Sequence, residues 1–511
     1  MTNLGSNNIF TVKVGRFDWA NVKGVSLLFW LVGAYVVLVP TLSFIPSLSP
    51  FNEKRAIQVG VLIAVAGGLL AVRAARRRWL TTVCRLPLAA RWGLGGVLGL
   101  GLLSSALAPV PFYAFLEVGH FALLFVAAGI VASEVRRTPR WTQRALLGVV
   151  AVSAGLYVVY FTVGYGAHLA VADIKPWPDG GTNYANIRFF NHYQTWTLPL
   201  LGGAILAVPS SWWVVRSILF GLTALWWTLI FASGAQGTLV AMAVAALGVG
   251  IVFRTRSATW NGLQGTAVFA GSLLFEFLFS GGSVGGGGAS PLGEQLSGNS
   301  AYGRLDHWKI CLDMAWAHPW LGAGPMHYAW PPFNFEPAAS PHSAFMQWLA
   351  EWGVPSTGIM SGIAVWGGWR WIQQERRDVE RAQEERENPA VAIALVASVL
   401  AGTAHAMVSG LLVAPLSQIL LILVGGWAWG RYRHERFAAT TPKTARAALC
   451  VLLVASMSVV GTGLRDLKTV KERRAAFTGA VERGYFSPRY WAQGYIGVRD
   501  SSVLERARRD R

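Results

Sequence analysis

The stretch FYAFLEVGHFALLFVAAGIVASEVRRTPR, residues 112–140, decides the fold class of this chain. Its first part, to Ser133, is an apolar run long enough to cross a bilayer as a helix, which takes about 20 residues. Only Glu117 and His120 interrupt it with ionisable side chains. A cluster of arginines beginning at Arg136 follows, as is typical of the cytoplasmic end of a span. The stretch therefore predicts a membrane helix with a defined orientation.

Runs of the same kind recur along the whole chain. Of its 511 residues, 53% are hydrophobic and only 14% are charged, and the mean hydropathy is +0.42, values that favour a membrane protein. We therefore predict an all-α polytopic membrane protein with about 12–13 transmembrane helices and one long exterior loop containing short amphipathic helices. The candidate spans are 24–46, 57–72, 92–109, 112–133, 145–168, 195–209, 212–232, 238–253, 263–280, 354–371, 390–408, 411–430 and 446–463.

The net charge of +19 would suit a nucleic-acid partner, but its distribution indicates a membrane surface instead. The basic residues concentrate in connections between spans, where they set orientation and contact anionic lipid headgroups. With the N-terminus in the cytoplasm, all five arginine-rich connections fall on the cytoplasmic side. We therefore expect membrane lipids, and no nucleic acid, as partners. These connections are 73–91, 134–144, 254–256, 370–388 and 431–446.

The same register divides the chain into five parts. The tail carries twelve Lys and Arg against six Asp and Glu, which is unusual for an exterior segment, so the sequence leaves its side open. The parts are a cytoplasmic arm (1–23), transmembrane helices with an exterior segment at 169–194 (24–280), a long exterior loop expected to be catalytic (281–353), C-terminal transmembrane helices (354–463) and a basic tail (464–511).

Several common catalytic motifs are missing from the chain. It has no GxxxxGK[ST] or HExxH sequence and no carboxylate cluster in an exterior loop, which a hard divalent cation would require. The three cysteines, Cys84, Cys311 and Cys450, form no CxxC pair. We therefore expect chemistry without a metal or a cofactor.

The segment SPHSAFMQWLAEWG, residues 340–353, contains a candidate general base. Ser340 suits an N-cap and Pro341 the first helical position, so a helix is predicted to begin there. His342 would then lie in the first turn, where the helix dipole favours a neutral imidazole that can accept a proton. The alternative interpretation is a surface histidine at a helix start.

Upstream, GRLDHWKICLDMAWAHPWLGAGPMHYAW, residues 303–330, predicts an amphipathic helix in the interface that ends at His318. Arg304 opens the segment and is a candidate phosphate ligand, since a guanidinium binds phosphate through two hydrogen bonds. Headgroup snorkelling is the alternative. The residues with helical spacing are Leu305, Trp308, Leu312 and Trp316.

A third polar segment, GTNYANIRFFNHYQTWTLPLL, lies at residues 181–201. Its polar side chains stand at the exterior mouth of a span predicted to begin near Thr195. Polar groups entering an apolar span are costly unless they line a cavity, so they are candidates for substrate binding, with interfacial anchoring as the alternative. They are Arg188, Asn191, His192 and Gln194.

These segments together resemble a known family. The series R-x3-W, HPWLGAGPMHYAW and PHSAFMQWLAEWG resembles the signature of the O-antigen ligase and O-antigen polymerase superfamily. The RFFNHYQTWTLPLL segment is most similar to the ligases. The resemblance extends over roughly residues 24–430, with its recognisable motifs within 181–353.

The resemblance implies a reaction and a location. Such enzymes are multi-pass proteins of the bacterial inner membrane with an active site facing the periplasm. They move a glycan from undecaprenyl pyrophosphate to an acceptor on the periplasmic side without a metal or a nucleotide sugar. In the ligases the acceptor is a sugar of the lipid A–core. Attack from the face opposite the leaving group implies inversion at the anomeric carbon.

The resemblance also implies roles for individual residues. His342 matches the loop histidine and Arg304 the loop arginine. The family usually carries a second arginine in a Ser-x-Arg-Gly-like motif, where this chain has SGAQGT with Gln236 at that place, so Arg188 is the candidate for the missing role. Further candidates for substrate binding within the motifs are His327, Tyr328 and Gln347.

Two other interpretations remain. Within the superfamily, the acceptor could be another glycan, as in a polymerase, or a protein hydroxyl, as in an O-oligosaccharyltransferase. A transporter of polyprenyl-linked glycan would instead place ionisable residues deep in its spans. The ionisable residues within the spans are few, and the polar groups crowd the exterior, which favours surface chemistry; the exceptions are Glu117, His120, Glu276 and His405.

Overall fold

The computed structural model confirms the predicted fold class. Within the residues it describes, the chain forms helices and no strand. These residues are 26–171, 177–178, 182–280, 300–334, 338–384, 389–433, 443–481 and 487–497.

The α-helices are numbered in chain order. They are α1 (Leu27–Leu38), α2 (Pro50–Ala71), α3 (Arg73–Cys84), α4 (Leu88–Leu107), α5 (Pro111–Arg137), α6 (Pro139–Ala170), α7 (Ile187–Ala207), α8 (Trp213–Ala232), α9 (Gln236–Phe253), α10 (Ala258–Phe275), α11 (Ser300–Ala317), α12 (Ala344–Glu384), α13 (Ala390–Ala406), α14 (Pro415–Arg431), α15 (Lys443–Gly463) and α16 (Val470–Val481).

Within this part of the chain, seven helical stretches are long and apolar enough to cross a membrane by length and composition. Two shorter apolar helices, α1 and α13, accompany them. The chain is therefore a multi-pass membrane protein. The seven stretches are Pro50–Ala71, Leu88–Leu107, Pro111–Arg137, Pro139–Ala170, Trp213–Ala232, Gln236–Phe279 and Thr444–Lys468.

Helix α7 lies at the centre of the packing. Every residue from Phe190 to Ile205 is buried. Trp196 fits against Gly402 of α13 so closely that a Cβ there would lie 2.2 Å from the indole ring. The indole N–H also donates to the Ser417 hydroxyl of α14 at 3.0 Å. Small residues on α13 thus allow α7 to be enclosed on all sides.

The start of α7 differs from the prediction. The span was expected from Thr195, but the helix begins at Ile187, where the Asn186 side chain caps it by accepting from the Arg188 N–H at 2.8 Å. The polar cluster predicted at the mouth of a span therefore forms the first two turns of a buried helix.

The two ends of α5 show how the connecting segments are distributed. At one end, the Val110 N–H donates to His327 Nε2 of the long loop at 3.1 Å. At the other end, Arg136 donates to the carbonyl oxygen of Tyr432 at 2.7 Å. There the side chains of Arg431 and Glu375 also form an ion pair at 2.6 Å. Connections predicted to be cytoplasmic thus meet at one end of the bundle, and the long loop lies at the other.

A break in α12 connects the long loop to the bundle. Gly353 has a left-handed φ of +76° inside the helix, where an ordinary residue would be strained. The turn after α11 pairs with this break: the Ala323 N–H donates to the Ala350 carbonyl at 2.9 Å, and the Val354 N–H to the Pro319 carbonyl at 2.8 Å. Backbone hydrogen bonds therefore hold α11 against α12.

Candidate active site

A cavity of about 330 Å³ opens at the end of the bundle that bears the long loop. Segments far apart in sequence form it: the start of α7, the turn before α9, the start of α11, residues near 340, the end of α13 and residues 487–488. No Asp or Glu lies among its described lining residues. Its charged and titratable residues are Arg188, Arg304, His192, His307, His342 and His405.

Two guanidinium groups give this cavity its electrostatic character. Arg188 donates to the carbonyl oxygen of Gly234 at 2.8 Å and weakly to that of Ser233 at 3.4 Å. Arg304, on the first turns of α11, has no hydrogen bond or ion pair with any residue the structure describes. Because the described lining has no carboxylate, no described lining residue neutralises either positive charge. The cavity therefore attracts anions, and phosphate oxygens match guanidinium geometry best.

The position of His342 corrects the sequence prediction. The helix was expected to begin at Pro341, but α12 begins at Ala344, after His342. Ser343 is the effective cap, because its hydroxyl accepts from the Met346 N–H at 3.4 Å and its carbonyl from Gln347 at 3.0 Å. His342 lies before this cap, with a left-handed φ of +54°. Its ring is therefore presented to the cavity from the loop and not from a helical turn.

The expected neutral imidazole has a different physical origin. Burial, together with the smaller effects of the neighbouring His307 and Arg304, lowers the pKa of His342 to about 4. The predicted cause was the dipole of a helix that does not contain this residue. At neutral pH the ring is uncharged, so one of its nitrogens is free to accept a proton.

His307 was not predicted, yet it lies beside His342 with the ring centroids 6.0 Å apart. Its Nδ1 is 3.0 Å from the Tyr328 hydroxyl. The Tyr328 N–H donates to a Glu351 carboxylate oxygen at 3.0 Å, and the Gln347 side chain donates to the other oxygen at 3.2 Å. Tyr328 and Gln347, predicted to bind substrate, therefore support the cavity without lining it.

His327 also lies outside the cavity lining. It is fully buried, its Nε2 accepts from the Val110 N–H at 3.1 Å, and its Nδ1 lies 2.9 Å from the Pro325 carbonyl oxygen. Both ring nitrogens thus have partners within the protein. These contacts place His327 at the junction of the loop with α5.

The polar cluster of α7 forms another wall. His192 Nε2 lies 2.7 Å from the Ser409 hydroxyl, and its buried Nδ1 has no hydrogen-bond partner among the described residues. The buried Asn191 Oδ1 is also unpartnered. Such atoms are rare in folded proteins; both residues line the cavity, although these two atoms themselves are buried. Gln194 differs, because it is bonded to Asn191 and to the Trp226 carbonyl and does not line the cavity.

The lining also includes His405, at the end of α13, which the sequence marked only as an ionisable residue within an apolar run. Its Nδ1 lies 2.7 Å from the Thr195 hydroxyl, and its ring centroid is 5.1 Å from that of His192. The cost of a polar group in a span was the signal that could have assigned it to the site. The sequence offered no comparable reason to assign Ser409, Ser487 and Pro488 to the site.

Comparison with known proteins supports the resemblance seen in the sequence. Residues 220–361 match the family model described as O-Antigen ligase, which confirms the predicted superfamily. The match includes Gln236, Arg304 and His342 but neither Arg188 nor the segment at 487–497. No curated protein is significantly similar to the chain.

Proposed function

We propose that this protein is an O-antigen ligase-like glycosyltransferase. It would transfer a glycan from undecaprenyl pyrophosphate to a hydroxyl of a lipid A–core sugar on the periplasmic side of the inner membrane. One observation carries the proposal: a single cavity brings together Arg188, Arg304 and His342 without an acidic side chain in its described lining.

The donor's diphosphate is the group that best suits the two arginines. Each guanidinium can form two parallel hydrogen bonds with phosphate oxygens. Because neither charge is neutralised within the described lining, the diphosphate would supply the missing negative charge. The described lining offers imidazoles, amides and hydroxyls and no carboxylate, a set poorly suited to Mg²⁺ or Mn²⁺, which favours metal-independent transfer.

His342 would act as the base in this reaction. Its neutral ring accepts the proton of the acceptor hydroxyl while that oxygen forms a bond to the anomeric carbon. The bond from that carbon to the phosphate oxygen breaks, and the electron pair leaves with the diphosphate. Arg304 and Arg188 stabilise the negative charge that develops there. Attack opposite the leaving group inverts the anomeric centre.

The remaining polar wall would bind sugar hydroxyls. His192 and Asn191 line the cavity, and their imidazole and amide groups are of the kind that bind sugar hydroxyls. Gln236, at the turn before α9, also lines the cavity. These three residues are proposed to orient the donor or acceptor sugar beside His342.

The lipopolysaccharide profile of a strain that lacks this protein tests which acceptor receives the glycan. Loss of the whole O-antigen ladder, with accumulation of carrier-linked glycan, is the expected result. A band with a single repeat would indicate a polymerase. An unchanged ladder with loss of glycan from a periplasmic protein would indicate an O-oligosaccharyltransferase, and either outcome would overturn the ligase assignment.

A further inference from the structure

The C-terminal segment 487–497 returns to the cavity after the last helices. Ser487 and Pro488 line it, although they lie more than a hundred residues beyond the part matched by the family. The segment is largely buried, with Trp491, Tyr495 and Ile496 among its buried residues. A segment with this much apolar burial is part of the folded body.

Arg489 anchors this segment between two helices. Its Nη2 donates to both carboxylate oxygens of Glu117, on α5, at 2.8 and 2.9 Å, and to a Glu351 oxygen, on α12, at 2.7 Å. All three side chains are almost fully buried. One guanidinium thus holds two buried carboxylates together and joins the bundle to the long loop.

From Glu351 the contacts lead to the cavity. The same carboxylate accepts from the Tyr328 N–H, and the Tyr328 hydroxyl meets His307 in the cavity wall. A second connection is shorter: the Ser487 hydroxyl accepts from the Ala339 N–H at 3.0 Å, three residues before His342. The segment therefore contacts the chain both before His342, at Ala339, and after it, at Glu351.

Further hydrogen bonds hold the segment to the long loop and to the helix bundle. The Ile496 N–H donates to the Ala329 carbonyl of the loop at 3.0 Å. On the bundle side, the Asn52 side chain accepts from the Ala492 N–H at 2.8 Å, and Arg55 donates to the Tyr490 carbonyl at 3.1 Å. The segment is thus bonded to the loop and to α2 along its length.

We propose that segment 487–497 is a built-in wall of the active site and that Arg489 is a positioning residue, which holds the loop bearing His307 and His342 against the bundle. This inference rests on the proposed function for its catalytic consequence. It adds that the region matched by the family is not sufficient for activity in this chain.

The consequence of losing Arg489 follows from its partners. Without the guanidinium, Glu117 and Glu351 remain buried, close together and uncompensated, which strongly disfavours the closed arrangement. The two helices should then separate, or the carboxylates should draw in water. In either case the contact between the loop and α5 is weakened, and His342, which is half-buried in the intact cavity, becomes more exposed to solvent.

Carbethoxylation by diethyl pyrocarbonate, mapped by peptide mass spectrometry, measures this directly. At neutral pH the His342 ring is uncharged, so its labelling rate reports access and not titration. In Arg489→Gln we expect the His342 rate to rise by about tenfold or more relative to the exposed His318 of the same loop. Arg489→Lys keeps a compensating charge but lacks the planar fork, so its His342 labelling rate should lie between those of wild type and Arg489→Gln. This variant replaces Arg489→Gln in the test if the Gln variant does not fold.

Arg473→Gln is the matched control. Arg473 also reaches the start of α5, donating to the Tyr113 hydroxyl at 3.2 Å, but its described contacts do not include the loop. It should leave the relative labelling of His342 unchanged. Equal His342 labelling in wild type, Arg489→Gln and Arg489→Lys would overturn the inference, as would an equal rise in Arg473→Gln.

The labelling experiment uses no glycan substrate, so its result does not depend on whether the proposed function is correct. Transfer by the same purified variants is measured in parallel. Raised labelling with reduced transfer supports both proposals. Raised labelling with unchanged transfer supports the contact made by Arg489 but contradicts its importance for transfer.

Discussion

The Arg188 guanidinium donates a 2.8 Å hydrogen bond to the carbonyl oxygen of Gly234, two residues before Gln236. This contact places a positive charge on the SGAQGT turn, where the superfamily usually carries its second arginine. Arg188 comes from α7, in a different part of the chain, yet its side chain and Gln236 line the same cavity. The contact supports the hypothesis that Arg188 compensates for the missing arginine.

Replacing Arg188 or Arg304 with Ala should reduce transfer by about tenfold to a hundredfold, because a hydrogen bond to a charged group contributes about 1.5–3 kcal/mol. The Arg→Lys variants should retain only part of the wild-type transfer activity, since an ammonium lacks the planar fork of a guanidinium. The measurement is specific activity per folded enzyme.

A double replacement extends this test. Gln236→Arg should restore much of the activity lost in Arg188→Gln if the two positions serve one role. Full activity in Arg188→Ala together with loss in Gln236→Ala would instead assign the role to Gln236. Nearly complete replacement by Lys, with Ala lowering yield more than specific activity, would indicate headgroup anchoring.

His342→Ala should abolish transfer, because the acceptor hydroxyl then has no base beside it. Expression and insertion into the membrane should stay normal. His318→Ala is the matched control, since His318 is an exposed histidine of the same loop that packs on Phe333 outside the cavity. Wild-type transfer by His342→Ala would exclude it as the base.

The pH dependence of transfer should reflect the low pKa of His342. Since burial lowers that pKa to about 4, the base form persists as pH falls from neutral to about 5. The acid limb of kcat/KM should therefore have its midpoint near 4, where an ordinary histidine would give about 6.5. Bound diphosphate should raise the pKa in the complex, so the limb of kcat should lie at higher pH. A kcat/KM midpoint near 6.5 would contradict the burial of His342 in the free enzyme.

Transfer should continue in excess EDTA. The described lining of the cavity offers no carboxylate to hold a hard divalent cation. Purified enzyme with carrier-linked glycan and acceptor is assayed with and without the chelator. Loss of turnover that added magnesium or manganese restores would reveal a metal site that this proposal lacks.

Gly353→Ala should destabilise the loop and lower transfer. A Cβ at this position would lie 2.7 Å from the Gly322 nitrogen and 2.7 Å from the Trp320 oxygen, and the left-handed backbone adds about 1–2 kcal/mol of strain. Gly358→Ala, one turn further along α12, is the control, because a Cβ there meets nothing within 4 Å. Thermal unfolding of the two variants in detergent should separate them clearly, and equal midpoints would contradict this account of the break.

The sequence could predict the properties that depend on local composition. Apolar runs such as 112–133 predicted membrane helices, because a chain that crosses lipid must pair its own backbone hydrogen-bonding groups and a helix pairs them within one segment. The basic connections predicted which ends of the helices meet, and Arg136 and Arg431 do lie at one end of the bundle. Three polar segments indicated Arg188 as a polar group at the mouth of a span, Arg304 as a phosphate ligand and His342 as a base at a predicted helix start.

Tertiary structure alone decided how those residues are supported. His342 is neutral because the folded cavity buries it, and burial is a property of distant segments that no local motif contains. His405 and Ser487 line the same cavity because α13 and the C-terminal segment pack there. Arg489, one of many arginines in a basic tail, became a buried bridge between Glu117 and Glu351. Its charge was evident from the sequence, but its partners were fixed only when helices far apart in the chain packed together.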